Sequence, residues 1–244
     1  MSNNTNRAFL LLCVLGAATQ VLACDEECVD GVCVPVYDTG YYYDNLVSGV
    51  AYSTQTEDGT IRTGVTGENG DPGSFSYYMP EATMTFSLGD TALGQSPAQA
   101  RVTPFDIAGV TEEPVGGCDV DGTLPDDGGD FQIVQNLAVL LQTMDTDGDP
   151  TTDIDISSET AALFNGVSID IDQTWAEFST DADLQAVLDK ANGQQLFPDT
   201  RELRTREDAL RALYKGIGLC DDGTGGAGGA GGAGGTGGAG GGAG

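Results

Sequence analysis

Leu46-Val47-Ser48-Gly49-Val50-Ala51-Tyr52 decides the fold, because it opens a segment whose period is two. Ile61–Val65, Phe75–Tyr78, Met84-Thr85-Phe86-Ser87-Leu88 and Arg101–Phe105 continue that period as short strands. Turn chemistry divides them: Glu57-Asp58-Gly59, Glu68-Asn69-Gly70-Asp71-Pro72-Gly73 and Gly89-Asp90. Short strands at this spacing predict a small antiparallel sandwich or barrel over 46–108.

Beyond about residue 129 the period becomes helical. Ile133, Leu137, Leu140, Leu141 and Met144 fall on one stripe, with Asp130 placed to cap it. Ser157–Asn165 reads as a short helix stopped by Gly166, and Asp181 caps another carrying Leu184, Val187 and Leu188. Thr205-Arg206-Glu207-Asp208 resembles a capping box and opens a last helix through Leu210, Leu213 and Tyr214. Ile154/Ile156 and Ile169/Ile171 alternate with Asp as strands or extended edges. The expected class is α+β: a small antiparallel β-sandwich followed by a helical half, 109–221, packed on it.

Specific runs add a resemblance. Val47–Tyr52, then Thr66-Gly67-Glu68-Asn69-Gly70 leading to Phe75 and Tyr77, resembles a transthyretin-like or carboxypeptidase-regulatory-like strand unit. Phe86-Ser87-Leu88-Gly89, Leu93-Gly94, Val102-Thr103-Pro104-Phe105-Asp106 and Asn136–Asp145 running into Asp147-Gly148-Asp149-Pro150 follow in order. That succession, over roughly 46–217, is similar to a poorly characterised module of proteobacterial envelope lipoproteins and adhesin-like proteins. The resemblance implies an envelope location and a non-catalytic accessory or binding role. It supplies no catalytic residues.

The N-terminus and the cysteines agree with a journey out of the cytoplasm. Residues 1–23 read as a signal peptide, with a polar start to Arg7 and an apolar run, Ala8–Leu15, too short to span a bilayer. Val21-Leu22-Ala23 before Cys24 suits either an ordinary signal peptidase or a bacterial lipobox that acylates Cys24. Cysteine parity favours the second. Cys13 leaves with the signal, so acylating Cys24 leaves Cys28, Cys33, Cys118 and Cys220, an even set for an oxidising compartment. Of three possible pairings, Cys28–Cys33 with Cys118–Cys220 is preferred, because Asp30-Gly31 can turn the short loop; connectivity stays open at this level. Residues 24–45 form an acidic, Cys-bearing lead. Gly223–Gly244 holds only Gly, Ala and Thr, including 15 glycines, and reads as a flexible, disordered tail.

Composition narrows the chemistry. The 244 residues carry 38 Asp+Glu against 9 Lys+Arg, a net charge of −29, and no histidine. Phosphate neutralisation needs clustered Lys and Arg, so nucleic acid is excluded as a partner. Imidazole-dependent catalysis and His-ligated metals are excluded as well. Hard cations suit the remaining carboxylates. Asp145, Asp147, Asp149 and Asp153 alternate around Gly148 in a pattern able to wrap Ca²⁺, although Pro150 and Ile156 break the EF-hand rule. A solvated acidic turn is the competing account. Asp119, Asp121, Asp126, Asp127 and Asp130 form a looser cluster read as a surface loop. Asp38-Thr39-Gly40 matches an aspartic-protease triplet but has no second copy to complete the dyad.

Six of nine basic residues lie in 190–215, and none lies between Arg101 and Lys190. Internal docking on the acidic body is preferred over a partner-facing strip. The expectation is therefore a lipid-anchored bacterial envelope protein, membrane-bound through Cys24, non-catalytic, with Ca²⁺ as a candidate ion. The alternatives are simple secretion, a secreted carboxylate-dependent hydrolase, and the N-terminal module of a longer surface protein.

Overall fold

Strand β5 (Ala51–Gln55) sorts its side chains by the pleat: Tyr52 and Thr54 are buried, while Ala51, Ser53 and Gln55 face outward. It comes from a computed structural model that describes residues 26–29, 32–35, 37–55, 59, 61–78, 83–120, 124, 129–149 and 151–220. The signal peptide, Cys24, Asp30-Gly31, Asp121, Asp126, Asp127, Pro150 and the Gly-rich tail lie outside the described residues.

Two units divide the chain, Met1–Val36 and Tyr37–Gly244. In the first, β1 (Glu26–Val29) pairs antiparallel with β2 (Val32–Pro35), and Cys28 sits directly opposite Cys33 in the register.

The second unit contains the main fold. β5 lies between β6 (Ile61–Val65) and β8 (Thr83–Leu88), and β9 (Thr91–Pro97) closes an antiparallel sheet in the order β6-β5-β8-β9. A second sheet has β3 (Tyr37–Tyr42) at its centre, antiparallel to β7 (Ser74–Tyr78) and parallel to β10 (Arg101–Val102). The stretch 37–42, read as part of the acidic lead, is thus a central strand, and its sheet is mixed.

Aromatic side chains join the two sheets. Tyr42 and Phe75 meet Phe86 at ring-centroid distances of 5.0 and 5.6 Å, and Tyr52 lies 5.9 Å from Phe75. Such offset and edge contacts stabilise beyond area burial alone. Two-residue strands β4 (Val47–Ser48) and β11 (Ile154–Asp155) pair in parallel and tie the sheet half to the helical half.

The strand expected at Arg101–Phe105 ends at Val102. Thr103 accepts the Asp106 N–H, the Asp106 carboxylate accepts the Thr103 N–H, and Pro104 follows the cap, so helix α1 (Pro104–Ala108) begins there.

Helix α2 (Phe131–Met144) departs from the expected single stripe. Val134 through Met144 are buried on every side, while Ile133 is only half-buried. Asp130 occupies the N-cap without a side-chain capping bond. The buried polar residues of α2 are used as ties. Asn136 Nδ2 donates to the Ile171 and Gln173 carbonyls at 2.9 and 2.8 Å, holding a turn at 171–173 where an extended edge is expected from the Ile/Asp alternation.

Helix α3 (Ser158–Ala162) starts at Ser157, and α4 (Trp175–Phe178) is a short turn capped by Thr174 and Glu177. Helix α5 (Ala182–Gly193) is capped by Asp181, which accepts the N–H groups of Asp183 and Leu184. Helix α6 (Arg206–Gly216) is capped by Thr205 and buries Leu210, Leu213 and Tyr214. The resulting architecture is α+β, with antiparallel strands leading and helices following.

Candidate functional site

The acidic loop after α2 is built around Asp145, whose exposure is 2%. Its Oδ2 accepts the Gly148 N–H at 2.8 Å and its Oδ1 accepts the Asp155 N–H at 2.9 Å. Burial raises its pKa; the Asp155 N–H pulls the other way, and the neighbouring Asp147 carboxylate adds to the rise. Asp147 accepts the Asp149 N–H at 2.8 Å, and Asp149 accepts the Thr151 N–H at 3.0 Å. The Asp149 N–H holds Asp147 below the usual carboxylate range, and the Thr151 hydroxyl, ahead of the Thr151 N–H, does the same for Asp149.

Asp145, Asp147 and Asp149 thus stitch the loop to itself, with Asp147, Asp149 and Asp153 at the surface and Asp145 inside. Among the described residues, no three His, Cys, Asp or Glu side chains converge as a metal-holding group.

A cation does relieve the negative end of α2, and it is Arg201. Its Nη1 donates to the carbonyls of Thr143 and Asp145 at 3.1 and 2.9 Å. The guanidinium lies against Gly148, whose φ of 72° and missing Cβ leave it that space. Asn192 fixes the arginine by clamping both its backbone N–H and its carbonyl, at 2.7 and 2.8 Å. The guanidinium also stacks over Phe197 at 4.5 Å.

Asp44 is the second buried carboxylate, with no exposed surface. It sits in the tight turn between β3 and β4, where Asn45 adopts a left-handed φ of 52°. Gln142 Nε2 donates to both Asp44 oxygens, at 2.9 and 3.0 Å, and to the Ala209 carbonyl of α6 at 3.0 Å. One amide therefore links turn, α2 and α6. Burial pushes the Asp44 pKa to about 7, against the lowering effects of the Gln142 bond and the Arg204 charge. Such a value suits general acid–base work, but the carboxylate has no surface for a substrate to reach. Tyr42 Oη, Gln142 Oε1 and Arg204 Nε are buried here without hydrogen-bond partners.

The remaining candidates are distributed through the fold. Cys118 and Cys220 form a disulfide, Cα–Cα 5.6 Å, as the preferred pairing requires. Cys28 faces Cys33 across β1–β2, the backbone placement that bridging them needs, while their side chains lie outside the described residues. Asp38-Thr39-Gly40 is a strand, with no turn at this point. Gly40 lacks a Cβ because one would meet Phe75 at 2.6 Å, and Asp38 accepts from Tyr77 Oη at 3.4 Å. Trp175 packs partly buried beside Phe178, ring centroids 6.3 Å apart.

Of the six basic residues in 190–215, Lys190, Arg211 and Lys215 are exposed and Arg201, Arg204 and Arg206 are half-buried. Arg206 bonds Glu207, and Arg211 bonds Asp208 and the Asp119 carbonyl. Arg204 donates its backbone N–H to Thr143 Oγ1. Asp172 accepts from Gln132 Nε2, and Asp170 accepts the Asp172 N–H, both at the surface.

No motif marks Asp44, Gln142 or Arg201 for these contacts: Gln142 lies in the Asn136–Asp145 run and Arg201 in the basic segment, and neither pattern names a partner. One signal was available for α2: 131–144 contains no charged residue, which marks a helix buried all round. Comparison with protein-family models, curated proteins and solved structures finds no match. No helix among the described residues is long and apolar enough to cross a membrane.

Proposed function

We propose that this chain is a lipid-anchored protein of the bacterial cell envelope, acylated at Cys24, with a non-catalytic binding or structural role. The observation that carries the reading is the Cys118–Cys220 disulfide. A bridge closing 102 residues of sequence belongs to an oxidising compartment and agrees with the signal-like N-terminus. The placement of Cys28 opposite Cys33 supports the same compartment.

The absence of catalysis is supported by the use of the two buried carboxylates. Asp44 answers to Gln142 and Arg204, and Asp145 to the N–H groups of its own loop. The likeness to envelope lipoprotein and adhesin-like modules stays part of the same proposal.

Intact mass of the purified protein tests the anchor: the expected mass begins at Cys24 and includes acyl chains. A mass beginning at an unmodified Cys24 refutes it. Ca²⁺ belongs to the proposal as an additional stabiliser of the 145–153 loop, supported by ligand chemistry alone. Its check is thermal melting with millimolar Ca²⁺ against chelator. An unchanged midpoint removes the ion from the reading.

A further inference from the structure

The segment that follows α1 has no helix or strand among its described residues, yet it is tied closely to the end of α6. Arg101 Nη1 bonds Glu112 at 2.7 Å, and its Nη2 reaches the Ile217 carbonyl at 3.2 Å. Tyr214 Oη donates to the Val115 carbonyl at 3.0 Å, and Arg211 Nη2 to the Asp119 carbonyl at 3.1 Å. The Cys118–Cys220 bond is the covalent member of this set. Residues 112–120 thus lie as a strap against α6 and the turn after it.

Two features set this cystine apart from a buried structural bridge. Cys118 is exposed and Cys220 half-buried, so a thiolate from solvent has access to the bond. Val120, two residues on, is buried with a left-handed φ of 39°, a region that β-branched residues avoid. Its side chain holds the strap to the core while its backbone resists, and such strain persists only where the surroundings over-determine it. The remaining ties are modest: both partners of the Arg101–Glu112 pair are partly exposed, and pairs of that kind contribute little. Helices α2 and α6 hold each other without the bridge, through Gln142 Nε2 on the Ala209 carbonyl and the buried Leu210 and Leu213. Opening therefore stays local.

We propose that the Cys118–Cys220 cystine is a redox-operated latch, opened by a dithiol reductant, that releases the 112–120 strap from α6. One thiolate of the reductant attacks Cys118 Sγ; the bond to Cys220 breaks, and Cys220 leaves as a thiolate that takes a proton. The reductant's second thiolate attacks its own sulfur in the mixed disulfide, frees Cys118 and closes the reductant into a cyclic disulfide. Two electrons pass from dithiol to cystine. Release uncouples the Tyr214 hydroxyl from Val115 and lets the Val120 backbone relax.

Amide resonances of the full chain carrying Cys24→Ser, recorded before and after about 1 mM dithiothreitol, test the latch. Thiol trapping with peptide mapping should find Cys118 and Cys220 free, with unchanged far-UV circular dichroism. The resonances of Val115, Gly117, Leu219 and Cys220, whose N–H groups bond the Glu113, Pro114 and Tyr214 carbonyls, should move to random-coil positions. Those of Tyr42 and Thr66, bonded within the sheet half, should stay in place. Serine at both 118 and 220 should give the same spectrum without reductant, which separates the latch from reduction at Cys28 and Cys33. A cystine that resists reduction until the chain unfolds overturns the proposal. So does a strap whose resonances are unmoved after reduction, or loss of the sheet resonances in the reduced chain or the serine variant.

Discussion

Replacing Asp44 by Asn isolates the cost of a carboxylate with no exposed surface. The residue's pKa is about 7 in the folded chain against 3.8 for an unburied Asp. Well below pH 3.8 the carboxyl is neutral in both states and the folded chain carries no penalty; at about pH 4 the penalty is only beginning. As pH rises toward 7 the unfolded chain loses its proton first, so stability falls by about 1.4 kcal/mol per pH unit. Above 7 the loss levels off at about 4 kcal/mol, the shift of about three units multiplied through.

Asn keeps an oxygen for the Gln142 amide but carries no charge. The variant should therefore exceed the parent by about 3 kcal/mol at pH 8, after about 1 kcal/mol for the weaker hydrogen bond. At pH 4 the two should agree within about 1 kcal/mol. Urea unfolding at pH 4, 5.5, 7 and 8, with the disulfide intact, reads the difference directly; subtracting variant from parent cancels the other carboxylates. In melting terms the gain is about 6–12 °C at pH 8. A variant less stable than the parent at pH 8 would refute the reasoning, because it would mean that ionised Asp44 is stabilised by Arg204 beyond its burial cost.

Arg201→Ala removes two charge-assisted bonds from the end of α2 and should destabilise by about 2–4 kcal/mol, measured by urea unfolding. Arg201→Lys should recover only part of this, since an ammonium lacks the guanidinium's planar fork over Phe197. Serine at both Cys118 and Cys220 reopens a loop of 102 residues and should lower stability by about 4–5 kcal/mol in the chain-entropy picture. Non-reducing peptide mapping of the parent should recover the 118–220 pair, and a Cys33–Cys118 peptide would contradict the fold.

Strands were legible where the pleat put polar residues out and aromatics in, as with Tyr52 and Phe86 against Ser53 and Ser87. Caps were legible where one side chain meets N–H groups nearby in sequence, as at Asp181 and Thr205. Strand β3 was hidden because Asp38-Thr39-Gly40 carries turn-forming residues, and its strand state depends on partners 33 or more positions away. Helix α4 was missed although Thr174 and Glu177 spell a capping box, because only four residues follow the cap. The acidic loop was legible as a cluster of oxygens but not in its use. Those carboxylates accept backbone N–H groups of their own loop, and only folding brings Arg201 back beside Gly148 to take the Thr143 and Asp145 carbonyls.

The Cys118–Cys220 bridge also sets how the molecule would bear load. A pull applied at residue 221 passes from Cys220 straight into Cys118 through a covalent bond. Everything between them, including α2, α5 and α6, stands outside the line of tension while the bond is intact. Reduction would transfer the same pull to Tyr214 and Leu213, which are held only by packing and hydrogen bonds. The redox state of one cystine thus determines whether the helical half acts as cargo or as a link in the chain.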